Sequence, residues 1–171
     1  MDPLLDEKIV LSLLRNIPEF FNDNLAIKAR QEAFGPSRNE GLCYESCLKI
    51  TITGGLECDL YFGLDGYTKM ELLPHLLEFF KNDDEFADRI LPGGAGELLL
   101  EFAVELGSGF MLELEENGYV VQMATRENLS HKLVQLDLQH NREYILIFFL
   151  TDPEKNRYLG RFYVVVTFRK Y

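Results

Sequence analysis

The stretch GAGELLLEFAVELGSGFMLELEENG, Gly94 to Gly118, constrains the fold more than any other, because its pattern suits a long helix and little else. Leu99, Phe102, Ala103, Leu106, Phe110 and Leu114 recur at three- and four-residue steps, the spacing of a helix face turned to a core. Gly93 and Gly94 open the stretch, and Asn117-Gly118 close it as a C-cap. Along another face Glu97, Glu101 and Glu105 follow at four-residue steps, with Ser108 next in line. Like charges so spaced cost a helix roughly a few tenths of a kcal/mol per pair, and taken alone the stripe reads as a solvated face.

A chain of 171 residues has room around such a helix for one domain with a substantial core, and residues 1–171 are expected to form it. The hydrophobic content of 47% and charged content of 26% are those of a soluble fold, and no apolar run is long enough for a membrane span. A net charge of -11 argues against nucleic acid and against anionic membrane surfaces, and favours basic partners. The N-terminal MDPLLDEKIV lacks the basic-then-apolar order of a signal peptide, so a cytoplasmic protein is expected. Cys43, Cys47 and Cys58 are an odd set that suggests reduced thiols. Their gaps to His75, His131 and His140 match no common zinc-ligand spacing, so no metal site is expected.

Ile9, Leu13, Ile17 and Phe20 or Phe21 give residues 5–22 a helical period that Pro18 interrupts. From Asp23 to Glu45 turn signals predict an irregular connection with one edge strand at Leu25 to Ala29. Residues 47–63, CLKITITGGLECDLYFG, alternate on both sides of Gly54-Gly55 and predict a hairpin. Thr68 to Phe80 returns to helical spacing, and a short helix is expected over Asp83 to Leu91. After Gly118 four strands are expected: Tyr119 to Ala124, Lys132 to Gln139, Tyr144 to Leu150 and Tyr158 to Phe168. The last two pair across a turn at residues 152–156. Strands on either side of a helical block predict an α+β fold, a mostly antiparallel sheet with long helices packed on it.

Three pieces of the chain together carry a likeness to a known family: ITITGGLECDLYFGL, the central helix followed by NGYVVQMAT, and the closing YILIFFL to GRFYVVV pair. In this order they resemble the CheX family, relatives of the CheC and FliY chemotaxis phosphatases, over nearly the whole chain. The resemblance implies a protein that binds a response-regulator receiver domain in chemotaxis or two-component signalling, often as a homodimer. It implies no cofactor of its own, with Mg2+ entering only through the receiver. In that family a glutamate and an asparagine three residues later on the central helix act on the receiver's aspartyl phosphate. The carboxylate engages a lysine and the amide orients the attacking water.

Counting back from Gly118 puts that glutamate at Glu101 and the asparagine position at Val104, with Ser108 where the family often has glycine. Valine has neither donor nor acceptor for a water, so the resemblance leaves phosphatase activity weak or absent. Glu97, Glu101, Glu105 and Ser108 remain the expected partner-binding face. Two alternatives stay open: an active phosphatase using Glu101 with another water-positioning group such as Glu105, and a homo-oligomeric interaction module outside the phosphorelay. Glu19 to Asn22 is the one literal glutamate-x-x-asparagine, at a helix end just after Pro18, and reads as coincidence rather than a second site. Pro92 to Gly96 reads as a turn into the helix rather than an anion cradle, because Glu97 already answers the helix dipole. His75 reads as packed or surface rather than ligating.

Overall fold

A computed structural model describes residues 3–36, 41–42, 44–130, 134–135 and 141–169. Helix α1, Pro3–Leu25, continues past Pro18 and buries Ile9, Leu13, Ile17 and Phe21, the expected stripe. Leu25 belongs to that stripe, so the helix continues to it. A turn at Ala26, with φ of 53°, then leads to strand β1, Lys28–Pro36. The edge strand therefore starts three residues later than expected and is longer.

Strands β3, Ser46–Gly54, and β4, Cys58–Leu64, form the expected hairpin. Gly54 sits at φ of 121°, and a Cβ there would lie 2.4 Å from the Val120 carbonyl oxygen, so glycine is required by conformation and by space. Helix α2, Gly66–Phe80, is capped by Asp65, whose carboxylate accepts the Thr68 N–H at 2.7 Å. The short helix expected over Asp83 to Leu91 is instead a five-residue π-helical turn, Phe86–Ile90. Helix α3, Gly94–Glu116, ends as the sequence requires, with Gly118 at φ of 89°.

Strands β5, Val121–Asn128, β7, Asn141–Asp152, and β8, Arg157–Arg169, complete a six-stranded antiparallel sheet of order β1-β7-β8-β4-β3-β5. Gly41–Leu42, β2, and Val134–Gln135, β6, pair separately; the latter falls within the strand expected over Lys132 to Gln139, and residues 131–133 and 136–140 lie outside the described residues. The closing hairpin β7–β8 occupies the interior of the sheet between β1 and β4; its apolar run is explained by burial, and the open edges are β1 and β5. The α+β expectation holds.

One core joins the three helices to a single face of the sheet: Phe21, Phe62, Phe102 and Phe162 meet with centroids 5.2 to 5.8 Å apart. Cys47, Tyr61 and Val165, alternate residues of β3, β4 and β8, form a smaller cluster on the other face. There Asp59 accepts hydrogen bonds from Thr51 Oγ1 at 2.8 Å and Arg169 Nη2 at 2.7 Å. No helix among the described residues is long and apolar enough to cross a membrane.

Candidate functional site

The core face of α3 and its acidic face overlap. Packing of Phe102, Ala103 and Leu106 against the sheet carries Glu101 inward, leaving it 8% exposed. A carboxylate withdrawn from water needs charged or hydrogen-bonding partners, and two guanidinium groups supply them. Arg89, on the π-helical turn, donates from Nη1 to Glu101 Oε1 at 2.5 Å and to Glu97 Oε1 at 2.6 Å. Arg126, on β5, reaches the same Glu101 oxygen at 3.3 Å. Arg89 also holds Glu85 through Nε. Hydrogen bonding to Glu101, then to Glu85, raises the guanidinium pKa further above its ordinary value, so the cation is permanent.

The stripe is thus not a uniform solvated face. Glu97 is half-buried and shares Arg89, Glu101 is buried and doubly paired, and Glu105 and Ser108 are exposed. No cation pairs with Glu105 among the described residues. Desolvation by the neighbouring protein, then the Glu101 and Asp83 charges, push its carboxyl above the usual range. Val104 is half-buried and packs on the core. Its isopropyl group places an apolar surface where a water-orienting amide would be needed.

Sequence reading missed Arg89 and Arg126. Both lie on other elements than α3, and no spacing along one helix signals such a partner; only the carboxylate cluster itself hinted that cations must approach.

The other candidates separate. Glu19 and Asn22 are both exposed on α1, and Asn22 Nδ2 donates locally to Asp23 Oδ1 at 2.9 Å. Glu19 lines a shallow groove between α1 and α3 with Asn16, Asp23 and Glu105, but Asn22 does not, so the pair does not enter one cleft. At the start of α3 the Gly93 and Gly94 amides donate to the Arg89 and Leu91 carbonyls at 3.2 and 3.1 Å, which favours a structural turn over an anion cradle. His75 Nδ1 donates to the Leu25 carbonyl at 3.0 Å, tying α2 to the end of α1. Cys47 and Cys58 are buried, and burial pushes the Cys58 thiol up to about 12; Cys43, His131 and His140 lie outside the described residues. No cluster of potential metal ligands is found among the described residues.

No protein-family model matches the chain, and no curated protein matches it in sequence. Solved structures do match in fold. A chemotaxis protein CheX from Desulfovibrio desulfuricans superposes with a TM-score of 0.71 at 12% identity, covering 95% of this chain and 99% of that one. A CheC-like superfamily protein from a Shewanella species matches with a TM-score of 0.67 at 15% identity over 99% and 100% of the two chains. A chain of the CheX-CheY-BeF3-Mg2+ complex from Borrelia burgdorferi matches with a TM-score of 0.64 at 15% identity over 95% and 98%. The chain therefore has the fold of CheX and CheC-like chemotaxis proteins, over 95% or more of its length.

Proposed function

We propose that this protein is a CheX-like signalling module that binds a response-regulator receiver domain without appreciably hydrolysing its aspartyl phosphate. The observation that carries the reading is the α3 constellation on a CheX fold: a helix-borne acid, Glu101, held in place by Arg89 and Arg126, beside an apolar Val104. Support for the partner comes from the Borrelia complex, in which a protein of this fold is joined to CheY. Glu101 already has cations on one oxygen, so a receiver's lysine would enter by sharing or exchanging with Arg89. Glu97, Glu105 and Ser108 would border the contact. Any Mg2+ belongs to the receiver under this reading, and a cytoplasmic location goes with it.

Titration of the chain against response-regulator receivers of the same cell, with and without beryllofluoride, tests the binding. Saturable binding is expected, and Glu101→Gln should weaken it by about 5- to 150-fold, the scale of one charge-assisted hydrogen bond. Equal affinity of wild type and variant would remove Glu101 from the interface. Phosphate release from the phosphorylated receiver should stay near its spontaneous rate, and a large Glu101-dependent acceleration would establish a phosphatase instead.

Homodimerisation is part of the same proposal and would use an open edge, β1 or β5, because the closing hairpin is covered on both sides by β1 and β4. Sedimentation showing only monomer at micromolar concentration would exclude it.

A further inference from the structure

Beside the Glu101 cluster, and sharing no lining residue with it, α2, the π-helical turn and the first turns of α3 enclose a groove. Leu73 and Leu77 of α2 form one wall, Ile90 and Leu91 the floor and rim, and Ala95 and Leu98 of α3 the other wall. Every lining residue is apolar. Leu77 and Leu91 are 40% and 55% exposed, and Met70, 66% exposed, extends the same α2 face by two turns. The cavity measures about 180 Å³, well below the roughly 300–1,000 Å³ of sites that enclose small-molecule ligands, which favours anchor side chains of a larger partner.

The stretch that supplies Ile90 and Leu91 is acidic. Residues 78–91 hold five carboxylates, Glu78, Asp83, Asp84, Glu85 and Asp88, against Lys81 and Arg89. Both cations are engaged, Lys81 by Glu78 and Arg89 by Glu85, Glu97 and Glu101. Asp84 and Asp88 are exposed and carry no cation partner among the described residues. An apolar trough whose floor and rim come from a stretch with uncompensated carboxylates complements one kind of partner: an amphipathic helix with aliphatic residues at i, i+3 or i+4, and i+7, and lysine or arginine beside them. A second copy of this chain fits poorly, because a two-fold contact there would bring the two acidic segments together. An anionic membrane surface would be repelled for the same reason.

We propose that this groove is a docking site for a cationic amphipathic helix of a partner protein, distinct from the proposed receiver contact at Glu101. The probe is a fluorescein-labelled leucine-lysine amphipathic peptide, read by anisotropy against the full chain, with a scrambled peptide of the same composition as control. Saturable binding of the amphipathic peptide, and markedly weaker binding of the scrambled one, is expected. Leu77→Glu and, independently, Leu91→Glu should each weaken it by about tenfold or more, since each removes aliphatic contact from the groove. Both sites are exposed, and circular dichroism verifies that each variant is folded. The substitutions add negative charge, so unchanged or tighter binding would mean general attraction to an acidic surface and would overturn the proposal. Absence of saturable binding by wild type would overturn it as well. So would a wild-type dimer that Leu77→Glu converts to monomer, since the groove would then be covered by a second copy.

Discussion

Glu101 on α3 and Glu19 on α1 are both helical glutamates with a candidate water-binding position three residues further on, and they end in opposite surroundings. Glu101 is carried inward by Phe102, Ala103 and Leu106 and meets two arginines from other elements, the π-helical turn and β5. Glu19 stays exposed, and its Asn22 bonds only to the neighbouring Asp23. The literal motif has no cleft that both its residues enter, while the degenerate one has the constructed environment. The difference teaches that a short spacing motif places two side chains side by side, and no more; whether a site exists depends on what the rest of the fold brings opposite them.

The sharpest way to break this comparison is stability. Glu101→Ala leaves Arg89 and Arg126 facing a missing carboxylate and should cost about 1–3 kcal/mol in urea or thermal unfolding. The value stays below that of a fully buried pair because both arginines remain partly in water. Glu19→Ala should stay within about 0.5 kcal/mol, as for other exposed positions. Similar losses for the two variants would mean the Arg89 and Arg126 contacts contribute nothing.

A smaller effect separates the clamp from its members. Arg89→Gln should destabilise less than Glu101→Ala, because Arg126 can still answer the carboxylate, and the double variant should lose less than the sum of the two single losses. Strict additivity in the unfolding data would show that Arg89 and Glu101 do not act as a pair.

The smallest expected effect lies at Glu105. Its folded-state carboxyl is held above the ordinary range, first by desolvation and then by Glu101 and Asp83. The folded state thus binds that proton more tightly than the unfolded chain does. The resulting stabilisation is full below the ordinary carboxyl pKa and is lost as pH rises through the raised one. Glu105→Gln, which removes this charge, should therefore unfold at slightly higher temperature than wild type at neutral pH, and the gain should shrink as pH falls through the raised pKa and be gone below about 4. A gain that persists into acid would assign it to something other than the Glu105 charge.

Local pattern made much of the fold legible. Three- and four-residue steps located α1, α2 and α3, because a helix face repeats within a few residues and declares itself without reference to the rest of the molecule. Alternation across Gly54-Gly55 located the β3–β4 hairpin for the same reason, and Gly118 marked the end of α3 through a backbone conformation that glycine adopts readily. Boundaries drifted where an apolar residue fits either of two elements: Leu25, taken as the start of a strand, completes the α1 stripe.

What the sequence by itself determined is the α+β class, the central helix with its acidic face, and the valine at position 104; each is written in residues close enough along the chain to form one face or one turn. Only the tertiary structure decided that Glu101 is buried and paired rather than solvated, because Arg89 and Arg126 approach it from the π-helical turn and from β5. It alone decided that the apolar closing hairpin lies inside the sheet, with β1 and β5 left as edges. An apolar strand looks the same in sequence whether its neighbour comes from its own chain or from another, and the pairing that settles the matter joins residues more than a hundred positions apart, as Arg30 and Phe149 do across β1 and β7.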